Sequence, residues 1–114
     1  MTQHDDSASL RQMLDHSREA VTLVHGRSRD DLDGERVLTL ALCRLVGIIG
    51  EAANRVSQAR RDRHPDIPWG GIIGLRNRLI HGYDSIDHEI LWQILTVDLP
   101  PLTTALGEIV EGED

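Results

Sequence analysis

The chain has 114 residues, enough for one domain with a modest core, and its formal net charge of −7 argues against binding nucleic acid through bulk charge. Aromatic residues make up only 3% and Phe is absent, so Leu, Ile, Val and Ala must fill the core, which favours helices over strands. The single Cys43 excludes an internal disulfide or a multi-thiolate metal site within one chain and fits a reducing cytoplasm, the acidic start MTQHDDSASL does not read as a signal peptide, and no apolar run approaches the ~20 residues of a membrane helix.

The expected architecture is an all-α antiparallel bundle of four to five helices without strands, spanning 1–114 as a single domain with flexible ends at 1–6 and 111–114. A first helix runs from about Ser7 to Val24, with Leu10, Met13, Leu14, Ser17, Val21 and Val24 at 3–4 spacing, and Gly26 ends it. After the polar RSRDDLDG comes the longest helix, about Glu35 to Arg60. Its core stripe is Leu38, Ala41, Leu42, Leu45, Ile49, Ala52 and Val56. Cys43, Gly47, Gly50 and Asn54 form a second stripe roughly opposite. Each interior glycine costs about 1 kcal/mol against Ala, so this stripe reads either as an edge that tolerates small residues or as a place where another backbone comes close.

Two prolines in RHPDIPWG interrupt the pattern. Asp66 can cap and Pro68 can start a third helix that reaches Ile80 or His81, with Gly82 closing it. YDSID is a turn. Ile86, Ile90, Leu91, Ile94 and Leu95 mark a fourth helix, Pro100 and Pro101 reset the chain, and PPLTTALGEIV reads as the last.

Charge is unevenly spread. All 12 basic residues are Arg, with residues 55–78 at +4 and residues 79–114 at −8 without any basic residue. The all-Arg usage is as well explained by base composition of the coding sequence as by function. The basic segment nevertheless abuts RNRLIH, where it could meet a phosphate. On a helical wheel Arg76 falls within the apolar arc of Ile72, Leu75 and Leu79, while Asn77 and His81 are four apart and share a face. An Arg on an apolar face is costly unless paired or wetted; a snorkelling side chain or a salt bridge to Glu51 is the plain explanation. The chemical explanation is that Arg76 presents its fork to a phosphate, Asn77 orients the imidazole and Gly82 leaves its edge open. Arg with His and no nucleophilic Ser or Cys suits cleavage of a phosphodiester by the RNA's own 2′-hydroxyl. One His is thin for both proton roles; a two-fold dimer would bring a second His81 and Arg76 to the same cleft.

RNRLIHGY carries the R-x4-H-x-Y pattern, and with it the chain resembles the HEPN superfamily, most closely the HepT toxins of HepT/MntA toxin–antitoxin pairs. LDHSREAV, GIIGEAANRVS, HPDIPWGGIIGLRNRLIHGYDSID and LWQILTVDLPPL all share in the resemblance, which covers nearly the whole chain. It implies a dimerising helical bundle and a metal-independent ribonuclease without cofactor, acting in the cytoplasm on RNA and not DNA as the toxin of a type VII system. By motif position Arg76 and His81 would be catalytic and Asn77 would assist. Tyr83 would be the residue that a partner MNT-domain nucleotidyltransferase, the antitoxin, modifies with AMP. Such a modification would bring charge and bulk into the phosphate cleft.

Arg78, Arg55, Arg60 and Arg61 are candidates for guiding RNA, although such a run is more often a solvated face. Two competing readings stand beside the ribonuclease. One is a non-catalytic helical module that docks a nucleotidyltransferase. The other is a metal site from His81, Asp84, Asp87 and His88, against which Asp87 is equally plausible as a helix cap.

Overall fold

The computed structural model describes residues 5–81 and 85–112, with the backbone alone for His81. The fold is all-α, as expected. Helix α1 (Asp6–Val24) lies along α3 (Arg36–Arg55) on one side and packs on α8 (Leu99–Gly112) and the turn before it on the other. The Asp5 carboxylate caps α1 by accepting from Ala8 N at 3.1 Å. α1 ends where His25 is extended and Gly26 adopts φ +78°, the turn closed by Arg27 N donating to Val24 O at 3.0 Å. Of the expected stripe of α1, Leu10, Met13, Leu14, Ser17 and Val24 are buried and Val21 is half-buried; Ser9 and Ala20 are buried besides.

A single turn, α2 (Asp31–Gly34), precedes α3. Along α3, Leu42, Leu45, Val46, Ile49, Ala52 and Ala53 are buried, whereas Leu38 is half-buried and Ala41 exposed. This helix has 20 residues, and an 18-residue window of it has a mean hydropathy of 1.5, long and apolar enough by composition to cross a membrane. That corrects the expectation that no such run exists. Half of it is buried inside the bundle, as befits the core helix against which α1 packs.

The long helix does not continue to Arg60. It stops at Arg55, Val56 turns extended, and Ser57 caps a separate short helix α4 (Gln58–Asp62). Asp6 causes the break: its carboxylate accepts from Ser57 N at 2.8 Å and Ser57 Oγ at 2.6 Å, drawing the chain back to the start of α1. Near the other end, Arg18 pairs with Glu111 in the last turn of α8 at 3.1 Å; residues 1–4 and 113–114, most of the ends expected to be flexible, lie outside the described residues.

The third expected helix is two short ones, α5 (Trp69–Ile73) and α6 (Leu75–Leu79), separated at Gly74. Pro68 caps α5 where Asp66 was expected to. Buried Trp69 anchors this stretch by donating from Nε1 to His64 O at 3.0 Å. α6 ends at Leu79, because Ile80 is already extended and pairs with Ile86 in a two-residue antiparallel ladder, β1 (Ile80–His81) with β2 (Ser85–Ile86). The strands missed by periodicity are too short to show any.

Asp87 caps α7 (His88–Gln93) by accepting from Ile90 N at 3.0 Å. The prolines do not reset the chain. α7 runs through a π-helical turn, Ile94–Asp98, directly into α8. In that turn Leu99 N donates to Ile94 O, five residues back. Pro100 and Pro101 occupy the first turn of α8, where their missing N–H groups cost least.

Candidate active site

The glycine stripe of α3 brings the RNRL helix to it. A Cβ on Gly50 would sit 3.1 Å from Ile72 O and 3.4 Å from Ile73 O, so the close backbone anticipated at that stripe is α5 of the same chain. One turn earlier, Gly47 leaves room for Arg76, whose Cδ lies 3.9 Å from where a Cβ would stand. Arg76 is thus not in the core. It is exposed, and with Cys43, Arg44, Gly47, Glu51, Leu79 and Ile80 it lines a cavity of about 260 Å³ between α3 and α6. Glu51 shares that cavity, yet the expected salt bridge does not form. Among the described residues Arg76 makes no hydrogen bond or ion pair. Burial pushes the Cys43 thiol in this cavity up to about 11.

Asn77 is exposed at the middle of α6. Its expected helical spacing to His81 is lost, since α6 ends at Leu79 and His81 belongs to β1, opposite Ser85. The side chain of His81 and the residues Gly82, Tyr83 and Asp84 lie outside the described residues. Of the flanking arginines, Arg78 pairs with Asp98 at 2.8 Å. Arg61 donates to the carbonyls of Ala53, Asn54 and Val56, capping the end of α3. Arg55 reaches Gln12 Oε1 at 3.3 Å, and Arg60 takes its place in α4. These four surround other contacts and do not converge on the Arg76 cavity.

Several residues facing this region went unnoticed in the sequence. Arg44 lines the cavity beside Arg76; its placement next to the Cys43–Gly47 stripe was the available signal. Further along α3, Leu32, Asp33, Arg36, Thr39, Ile86 and His88 line a second cavity of about 320 Å³. There Asp33 Oδ1 accepts from His88 Nδ1 at 2.7 Å and Oδ2 accepts from Arg29 Nη1 at 2.8 Å. The hydrogen bond from His88, then that from Arg29, holds the Asp33 carboxyl below its usual range. Asp33 and His88 stand 55 residues apart, a pairing no local pattern signals. Asp87 is engaged as a cap and His88 Nδ1 by Asp33; the other two residues of the metal reading, the His81 side chain and Asp84, lie outside the described residues. Among the described residues no cluster of three potential ligands exists.

A family profile described as ribonuclease HepT-like matches residues 13–109. The chain is 33% identical over 104 residues, 91% of its length and 93% of the relative's, to "Putative RNase TTE0752" of Caldanaerobacter subterraneus subsp. tengcongensis. It is 30% identical over 102 residues, 90% of its length and 94% of the relative's, to "Putative RNase MJ1380" of Methanocaldococcus jannaschii. Identity is 31% over 93 residues to "Probable ribonuclease HepT" of Thermococcus cleftensis, covering 78% of this chain and 84% of that one. No solved structure gives a significant match. With the HEPN-type signature on the edge of an all-α bundle and the profile spanning most of the chain, this protein belongs to the HepT-like ribonuclease family.

Proposed function

We propose that the cavity at Arg76 is where this ribonuclease cuts RNA, without a metal, by means of the substrate's 2′-hydroxyl. The 2′-oxygen loses its proton to a base and attacks the adjacent phosphorus. The 5′-oxygen of the next nucleotide leaves and takes up a proton, so that a 2′,3′-cyclic phosphate and a 5′-hydroxyl result. Arg76 neutralises the charge gathering on the phosphoryl oxygens, His81 carries a proton, and Asn77 assists. Because donation and acceptance need two groups, a second copy of the chain completes the cleft with its own His81 and Arg76. The basic segment holding Arg55, Arg60, Arg61 and Arg78 guides RNA toward it.

The observation carrying this reading is Arg76 itself: exposed at a cavity wall and unpaired among the described residues. In this reading the chain is the toxin of a type VII pair in the cytoplasm. A nucleotidyltransferase partner silences it by transferring AMP from a nucleoside triphosphate to the Tyr83 oxygen, with pyrophosphate leaving. The added phosphate competes for the guanidinium that RNA requires.

The test has two arms. Purified protein in EDTA should cleave RNA to cyclic-phosphate ends, and Arg76→Ala and His81→Ala should not. Mass spectrometry after co-expression with the neighbouring nucleotidyltransferase should find whole AMP units on Tyr83. Retained cleavage in both variants removes the assigned site. No added mass under any condition removes the antitoxin reading.

A further inference from the structure

The two cavities on α3 adjoin. Thr39 of one and Cys43 of the other are successive turns on the same helix face, and Ile86 of one is the direct strand partner of Ile80 of the other. The two separate cavities follow one another along α3, bounded by α6, the short ladder and the start of α7. Three arginines along them, Arg36, Arg44 and Arg76, have no hydrogen bond or ion pair among the described residues. Arg18, Arg27, Arg29 and Arg78 elsewhere are engaged by carboxylates, while Arg11 and Arg63, away from these cavities, also lack a partner among the described residues. Arg36 and Arg44 are eight residues apart on α3, or ~12 Å at the helical rise, a span that roughly two nucleotides of an extended strand cover. At the far end Asp33 accepts a hydrogen bond from His88 Nδ1, which leaves Nε2 as the edge the ring can offer a ligand.

We propose that the cavity of Asp33, Arg36, Thr39, Ile86 and His88 is an RNA subsite flanking the cleavage position, with Arg36 on the phosphate and the Asp33-held imidazole of His88 on the ribose hydroxyl or base edge of a neighbouring nucleotide. It rests on the reading of the Arg76 cavity as the cutting site, and it makes the enzyme prefer oligonucleotides over a single dinucleotide step. His88 and Arg36 bind here and take no proton from the reacting atoms. Asp33 acts as a positioning residue, presenting the ring. Ile86, half-buried at its wall, offers an apolar contact to a base as well as the charged contact to a phosphate.

The full-length protein is assayed on a dinucleotide with one phosphodiester and on an octanucleotide containing it. In parallel, binding of a 2′-O-methyl octanucleotide, which cannot be cut, is followed across a salt series. Arg36→Gln and His88→Gln should each lose about tenfold to a hundredfold in kcat/KM on the octanucleotide, mainly through KM, and leave the dinucleotide unchanged. Arg36→Gln should also lower the slope of log affinity against log salt by about 0.7, the loss of one single-strand phosphate contact. Asp33→Asn should copy His88→Gln in KM while a melting curve reports its folding. Octanucleotide preference and salt slope unchanged in Arg36→Gln overturn the subsite, as does an altered oligomeric state with unaltered RNA binding, which would make the cavity a protein contact. If the wild type binds the uncut analogue with the Arg36-dependent slope but cleaves nothing, the subsite survives and the cleavage reading falls.

Discussion

A Cβ added to Gly50 would meet the carbonyl oxygen of Ile72 at 3.1 Å, so α3 and α5 touch backbone to backbone at that point. This contact sets how deeply the Arg76-bearing helix sits against α3. Gly50→Ala gains about 1 kcal/mol of helix propensity but forces a backbone carbonyl to move, and net destabilisation of about 1–3 kcal/mol is expected. Gly47→Ala meets only the Arg76 Cδ at 3.9 Å and should raise stability by up to about 1 kcal/mol. Paired urea melts of the two variants measure the contrast; equal behaviour would remove the close-packing account.

Arg76→Ala should lower RNA cleavage by roughly a hundredfold or more, the usual cost of losing one charge stabiliser at a reacting phosphate or oxyanion. Arg61→Ala should act mainly through stability, because Arg61 donates to three carbonyls at the end of α3. Cleavage rates normalised to the folded fraction separate these: Arg76→Ala stays impaired in kcat after normalisation, and Arg61→Ala keeps only the small, salt-dependent loss in KM of one guiding charge.

Asp33 is held below its ordinary carboxyl value of 3.8 in the folded protein, first by His88 and then by Arg29. A depressed folded value means stability that is present above 3.8 and lost as pH falls through the lower folded value. Since this carboxylate faces solvent, the effect is a difference in slope. Thermal melts from neutral pH into the acid range should show the wild type losing more stability below 3.8 than Asp33→Asn. Parallel curves for the two would contradict the linkage.

Asp6 holds Ser57 through two hydrogen bonds of 2.8 and 2.6 Å. Asp6→Ala should cost about 1–3 kcal/mol and release the start of α4 before the rest of the bundle. Hydrogen exchange should accelerate first at Ser57 and Arg60, whose N–H groups depend on this cap.

Cys43 lines the Arg76 cavity with its thiol pushed up by burial to about 11, against an ordinary 9.0. Two units correspond to about a hundredfold less thiolate at neutral pH. Alkylation by iodoacetamide should therefore lag a model thiol by about that factor, and occupancy of the cavity by the 2′-O-methyl octanucleotide should slow it further. A rate equal to that of free cysteine would place the thiol in solvent.

The sequence by itself determined the class of fold, because Leu10, Met13, Leu14, Leu42, Leu45 and Ile49 recur at helical spacing and bury as that spacing demands. It also determined the family, because RNRLIHGY is a local pattern that needs no fold to be read. Helix ends were decided elsewhere. α3 stops at Arg55 because a carboxylate 51 residues upstream captures Ser57, and α6 stops at Leu79 because Ile80 finds Ile86 across a ladder. The prolines at 100 and 101 do not break the chain's last helix because they stand in its first turn, directly after a π turn. The fate of each arginine was equally tertiary. Arg78 and Arg61 look as free as Arg36, Arg44 and Arg76 in a linear reading; Asp98 and the end of α3 engage the first two, and the two cavities leave the others open. Periodicity reports which face of a helix is apolar. Only the packing of helices against one another decides which polar side chains on the other faces find a partner and which remain to meet a ligand.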